Sequence, residues 1–282
     1  EALGGSCGNV LVSLAMLQRS VVPLIALGFD SVGQWLLREF EQAGADTSYI
    51  SCRRELASPI LAQQLDTQSG QHWFSFVCPE TDTDFPRYAP IEHEDVERAQ
   101  PVLDSCAVFY TDRLTDSTLS AMERAHRSGA VVYFEPPQIE NSRQFAQALE
   151  STSILKYSHD QVGEAVESFE LPKRMIAIAT FGARGLRVAQ GKSSLWLAAI
   201  PAPVLKDACG SGDMVSVGLI DWIVAKSRSS TLKIGDLADG IVAGQRLASA
   251  NCAFHGARGL FQRHGASAVR GILDGQDDLF VD

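Results

Sequence analysis

The chain has 282 residues, with 24 Lys+Arg against 34 Asp+Glu and a formal charge of −10 at neutral pH. That length can bury a full hydrophobic core, in one large α/β domain or two modest ones. A composition of 45% hydrophobic and 21% charged residues excludes wholesale disorder. The acidic surplus argues against nucleic-acid partners, which call for basic groups to meet phosphates. No apolar run approaches the roughly 18 residues of a membrane span.

The N-terminus shows no basic segment followed by an apolar stretch, so no signal peptide is read there. The chain begins at Glu1 rather than Met, and a native start is expected ahead of it. The six cysteines, Cys7, Cys52, Cys78, Cys106, Cys209 and Cys252, are scattered, without a Cys-x-x-Cys pair or a histidine at zinc spacing. This usage predicts a reduced, cytoplasmic compartment.

In chain order, the small residues Gly4-Gly-Ser-Cys-Gly-Asn9 open a helix rich in Ala, Val and Leu. An apolar run over 21–28 predicts a buried strand, and 31–44 a helix capped by Ser31 and ended by Gly44. Its apolar residues Trp35, Leu36, Phe40 and Ala43 fall at helical spacing. The stretch 57–78 predicts a β-hairpin around a polar turn at 67–70. Inserted in an α/β domain, it is a lid, a dimer surface, or an edge extension of the main sheet. Residues 80–97 are polar and Pro-containing and predict a surface loop.

Strands at 107–111, 130–134, 154–157 and 175–180 alternate with helices at 116–128 and 142–149. That alternation predicts a parallel sheet covered on both faces. Two long helices, 212–226 and about 234–254, close the chain, apolar over much of their circumference and so deeply packed.

Three segments have the composition of a site. In Asp207-Ala-Cys-Gly-Ser-Gly-Asp213, Gly210 and Gly212 allow a tight backbone bend feeding a helix N-terminus. Unpaired N–H groups there favour an anion, and Asp213 in the first turn can take a proton from a hydroxyl nucleophile. The plain alternative is an N-capping Asp. Thr180-Phe-Gly-Ala-Arg-Gly185 follows a buried strand, where ligands bind in open α/β sheets; alternatively it is a β-turn into a strand at 185–189. Asn9 can donate and accept hydrogen bonds, as a polyol requires. Gly191-Lys192-Ser193 is no Walker loop, since Leu186 stands where that motif needs Gly. Gly210-x-Gly212 lacks the third glycine of the dinucleotide fingerprint, with Val215 in its place.

Taken in order, these segments resemble the ribokinase-like (PfkB) carbohydrate kinase family from about Gly4 to Gly265. The Gly-Gly-x-x-x-Asn helix start resembles its first signature, and Gly28-x-Asp30-x-x-Gly33 its Gly-x-Asp-x-x-Gly stretch. Thr180 to Gly185 is similar to its nucleotide turn, and Asp207 to Asp213 to its second signature, with Ser211 where Ala is common. The resemblance implies a ribokinase-like three-layer α/β fold in one domain over 1–282, with 57–78 as a lid that often builds a homodimer. It implies transfer of the γ-phosphoryl of ATP, with Mg2+, to a hydroxymethyl group of a small sugar or sugar acid. Asp213 matches the general base and Gly210, Ser211 and Gly212 the anion hole. Gly5, Ser6, Asn9, Asp112 and Arg113 would contact the sugar; Thr180, Gly182, Gly185 and Asn251 would line the ATP site.

Three departures stand out. The family's Asn-x-x-Glu is here Ser158-His-Asp-Gln161, so metal affinity is weaker or Asp160 stands in. Its first strand, with a sugar-binding Asp, has no counterpart in this sequence. At the monovalent-cation site Asp207 is present, but Cys209 replaces a hydroxyl residue, which leaves cation activation open. A nucleoside kinase of the same superfamily and a silent sugar- or nucleotide-sensing module are the alternatives.

Overall fold

The structure, a computed structural model, describes residues 2–66, 72–226 and 232–276; the turn expected at 67–70 lies outside them. In chain order run α1 (Ser6–Met16), β1 (Ile25–Gly28), α2 (Ser31–Ala43), β2 (Ile50–Arg53), β3 (Ala62–Leu65), β4 (His72–Ser75), α3 (His93–Arg98), α4 (Gln100–Leu103), β5 (Val108–Thr111) and α5 (Asp116–Arg127). There follow β6 (Val131–Phe134), α6 (Ser142–Ser151), β7 (Ile154–Ser158), α7 (Glu164–Glu167), β8 (Ile176–Thr180), β9 (Gly185–Gln190), β10 (Ser193–Ala198), α8 (Ser211–Lys226), α9 (Ile234–Asn251) and α10 (Gly259–Leu273). The chain divides into two compact units. The first is Glu1–Asp95, Ala202–Val217 and Arg246–Asp282, and the second Val96–Pro201 and Gly218–Gln245.

In the first unit, β1 and β2 pair in parallel, with Ile25 opposite Ile50. Leu3, Val12 and Phe40 are buried with Trp35, Leu36, Ala43 and Ile50 around them, so the helical face read from the spacing of α2 is the face that packs. Its cap is Asp30 rather than the expected Ser31. Asp30 Oδ1 accepts the Gly33 N–H at 2.7 Å and Oδ2 the Ser58 N–H at 2.8 Å. Burial opposes ionisation of Asp30, but these N–H donors outweigh it and hold the carboxyl below its ordinary range. A Cβ at Gly33 would lie 2.1 Å from the Gly28 carbonyl oxygen, which is why the motif needs glycine there.

The hairpin forms as expected, but as a two-stranded antiparallel sheet of its own rather than an edge of the main sheet. The expected loop over 80–97 ends instead in α3, because Asp95 is drawn into the fold. Its carboxylate accepts from the Ser51 hydroxyl, from Arg53 at 2.5 Å and from the Glu92 N–H at 2.9 Å. A third long helix, α10, follows the two expected to close the chain. It is bent at Gly265 and buries Leu260, Phe261, Val269 and Ile272.

The second unit is built on a six-stranded sheet in the order β10-β9-β8-β7-β6-β5. Strands β5 to β8 are parallel, as their helical crossovers require. The last two are antiparallel, because the short connections before and after β9 leave room only for hairpins. Gly191 and Lys192 form the β9–β10 turn and open no helix. Alternate residues Val132, Phe134, Leu155, Tyr157, Ala177 and Ala179 join Met122, Phe145 and Leu149 in one core. Their neighbours Val131, Tyr133, Ile154, Ile176 and Ile178 are buried as well, the mark of a sheet covered on both faces. Buried Lys156 pairs with Glu135, which also accepts from the Tyr110 hydroxyl at 3.1 Å. That group ties β5, β6 and β7 together, with the Lys156 charge paired where it is buried. Among the described residues, no helix is long and apolar enough to cross a membrane.

Candidate active site

In the first unit, the 207–213 turn opens α8. Gly210 has φ of 74°, and a Cβ there would lie 2.4 Å from the Ala257 Cβ, so the bend requires glycine twice over. The Gly210 carbonyl accepts the Met214 N–H at 2.8 Å, the first bond of the helix. Ser211 is turned back into the loop. Its N–H and hydroxyl both donate to the Ala208 carbonyl, at 3.2 and 2.8 Å, and its Oγ lies 3.3 Å from the Cys252 Sγ. Gly212 and Asp213 follow in the first turn, where a helix directs N–H groups outward at the positive end of its dipole.

Asp213 is only 8% exposed. Its Oδ2 accepts from Asn9 Nδ2 at 2.7 Å. Asn9 is itself buried on α1, one turn after Gly5 at the N-cap and Ser6 at the helix start. The expected sugar-binding asparagine and the expected base are thus hydrogen-bonded to each other, and Asn9 Oδ1 is buried without a partner. The bond fixes the carboxylate without neutralising it, since Asn9 is an uncharged donor.

Asp207, at the head of the turn, is 1% exposed. It accepts the Cys209 N–H at 2.8 Å, the Gly256 N–H at 2.8 Å and Gln63 Nε2 at 3.4 Å. Gln63 and the segment at 256–258 carry no local pattern that marks them, and they reach the site only through tertiary folding. Burial, then the charges of Asp207 and Asp213, push the Cys209 thiol up to about 12. Burial also raises Cys252, so both are neutral thiols near pH 7. Asn251, expected at the nucleotide, is 0% exposed. Its amide bonds the carbonyls of Cys209 and Gly256, at 3.4 and 3.2 Å, and the Leu260 N–H at 3.1 Å. It supports the turn from behind and offers no surface to a base.

In the second unit, Asp112 and Arg113 follow β5 and line a cleft with Glu140, Asn141 and Gln144, at the carboxyl end of the sheet. Arg113 Nε lies 4.0 Å from Asp112 Oδ1. Thr180 ends β8 with its hydroxyl on the Tyr157 carbonyl at 3.3 Å. Gly182 to Arg184 form a single 3-10 turn, and Gly185, with φ of 122°, starts β9. The Phe181 ring is stacked by His159 at 4.6 Å and covered by the Arg184 guanidinium at 5.2 Å.

The Mg2+ implied by the sequence finds little protein to hold it. Ser158 ends β7, and Asp160 and Gln161 lie in the π-helical turn His159–Gly163. Asp160, the carboxylate considered as a stand-in, faces His159 Nδ1 at 3.9 Å and Arg184 at 3.7 Å. Among the described residues, no group of three or more His, Cys, Asp or Glu is placed to hold a metal ion.

The sequence profile of the pfkB family carbohydrate kinases matches residues 1–262. The chain belongs to that family. It is therefore a phosphotransferase of the carbohydrate kinase type, and its α/β, mainly parallel sheet is the ribokinase-like fold expected from the motifs. No curated protein sequence matches the chain. Among solved structures, fructokinase with bound ATP from Xylella fastidiosa is similar at 17% identity and TM-score 0.77, over 97% of this chain and 91% of that one. Aminoimidazole riboside kinase from Salmonella enterica is similar at 18% identity and TM-score 0.71, over 96% and 91%. A Burkholderia thailandensis nucleoside kinase in complex with inosine is similar at 14% identity and TM-score 0.71, over 96% and 85%. At such identities the likeness establishes the fold.

Proposed function

We propose that the chain transfers the γ-phosphoryl of ATP to a hydroxymethyl group of a small sugar or sugar acid. The observation that carries this reading is the Asp213 carboxylate, seated in the first turn of α8 and fixed by Asn9 at 2.7 Å. In the proposed reaction, the acceptor hydroxyl gives its proton to Asp213 while its oxygen bonds to the γ-phosphorus. The bond from that phosphorus to the β,γ-bridging oxygen breaks, and ADP leaves. The N–H groups at Gly210 and Gly212 stabilise the charge that develops, whereas Ser211, expected beside them, already gives its N–H to the Ala208 carbonyl. Mg2+ enters with the nucleotide, as MgATP, since the chain supplies few donors of its own. Gly5, Ser6, Asp112 and Arg113 serve the acceptor; Asn9 serves it through Asp213. Thr180, Gly182 and Gly185 serve ATP, and Asn251, fully buried, acts only by supporting the turn.

The proposal includes one ribokinase-like domain over 1–282 with the 57–78 hairpin as its lid. Trp73 and Phe74 on that hairpin are 53% and 51% exposed, which favours a homodimer that covers them. The six cysteines form no disulfide, which favours a reducing, cytoplasmic setting. Nucleoside phosphorylation is the second reading, favoured by the fold shared with the inosine-bound nucleoside kinase.

The deciding experiment offers MgATP with ketoses, aldopentoses, 2-keto-3-deoxy sugar acids and nucleosides, and follows ADP release. Turnover with a free sugar or sugar acid supports the proposal. Turnover with nucleosides alone selects the second reading. ATP and sugar binding without any ADP would leave a sensing module, which the Ser158 and Gln161 replacements favour.

A further inference from the structure

We propose that Gln63, on the first strand of the β3–β4 hairpin, is a positioning residue that latches the hairpin to the 207–213 turn. The inference rests on the kinase reading above and adds a means of regulating that same site. Gln63 Nε2 donates to Asp207 Oδ2 at 3.4 Å, across 144 residues of sequence, and the same side chain bonds the Cys209 thiol. Asp207 is almost wholly removed from water, so every donor it holds matters more than it would at the surface. Its two backbone donors, Cys209 and Gly256, set the turn and the neighbouring segment. That segment continues into Ala257, whose side chain and backbone crowd Gly210. A single carboxylate therefore couples the hairpin to the bend that aims the N–H groups and Asp213.

When the hairpin shifts, Asp207 loses the Gln63 amide from β3, and the loop held through that carboxylate relaxes. Phosphoryl transfer is then strongest with the hairpin in place, which restrains ATP turnover when no acceptor holds it there.

The test compares wild type with Gln63→Ala and Gln63→Glu. It measures kcat and KM for each substrate and amide hydrogen exchange over 207–213 and 255–258. Gln63 lies at an exposed position, so both variants should fold, and a thermal melt checks this. Gln63→Ala should lower kcat about tenfold with KM for ATP unchanged, and speed exchange at Cys209 and Gly256 about tenfold. Gln63→Glu, which sets a second carboxylate against Asp207, should lower kcat further. Unaltered kcat and exchange in Gln63→Ala would overturn the latch. If wild type phosphorylates nothing on the substrate panel, the kinase reading fails by itself, and hydrogen exchange alone decides the latch.

Discussion

The turns at 207–213 and 180–185 both bend at glycines with positive φ, yet they are held in different ways. At 207–213, two buried carboxylates take donors from α1, from the hairpin and from the 256 segment, and Ala257 leaves no room at Gly210. At 180–185, the charged groups stand in solvent. Arg184 is 68% exposed, and its ion pair with Asp160 spans 3.7 Å. Exposed pairs of that kind contribute about 0–1 kcal/mol, whereas hydrogen bonds to buried charge contribute about 1.5–3 kcal/mol. Rigidity is thus concentrated where, in the proposed reaction, a proton moves and charge develops, since fixed donors stabilise a transition state only if they need not reorganise. The turn proposed to meet the nucleotide is left adaptable.

The sharpest way to break this contrast is Asp213→Asn, which should cut turnover by about 10²- to 10⁴-fold while ATP affinity, read by calorimetry, stays near wild type. Wild-type turnover in the variant would remove Asp213 as the base. Gly210→Ala should come next, with about 3 kcal/mol of stability lost in urea unfolding, because the new Cβ meets both a positive φ and Ala257. An unchanged midpoint would show that the turn is looser than it looks. Asn9→Ala leaves the Asp213 carboxylate short of a buried donor, and kcat should fall roughly 10- to 100-fold with KM for ATP unaffected.

A buried charge elsewhere in the first unit sharpens the comparison by pH. Burial opposes ionisation of Asp95, but Ser51, the Glu92 N–H and Arg53 prevail and depress its pKa. A depressed carboxylate stabilises the fold above its unfolded pKa of about 3.9 and loses that contribution as pH falls through the folded value. Asp95→Asn should therefore cost about 2 kcal/mol near pH 7, and the gap to wild type should close on acidification below that range. A gap that stayed constant down to acid unfolding would deny the linkage. The smallest effect is expected from Arg184→Ala, within about 0.5 kcal/mol in stability and only a few-fold in KM for ATP. A loss as large as that of Asn9→Ala would end the contrast between the turns.

Most elements were legible because their signals are local. The apolar spacing of Trp35, Leu36 and Phe40 marked the face that packs, and Gly44 and Gly129 ended their helices at φ of 90° and 91°. The cap of α2 was misplaced by one residue, since Ser31 and Asp30 are both good caps and only Ser58, brought in from elsewhere, distinguishes them. Helix α3 was missed because its anchor, Asp95, finds Ser51 and Arg53 only after folding. Asn251 looked like a nucleotide contact and proved to be a buried brace for the turn.

By itself, the sequence determined the hairpin, the parallel strands of the main sheet, most of the long helices and the two glycine bends, because backbone preference and apolar periodicity act over a few neighbouring residues; α3, α10, β2 and β10 were not among them. It also placed a carboxylate at the start of α8. Only the tertiary structure decided what holds that carboxylate and its companion. Asn9 meets Asp213 across 204 residues and Gln63 meets Asp207 across 144, and such pairings follow from how the elements pack. Burial then gives them their strength, and burial is a property of the folded chain alone.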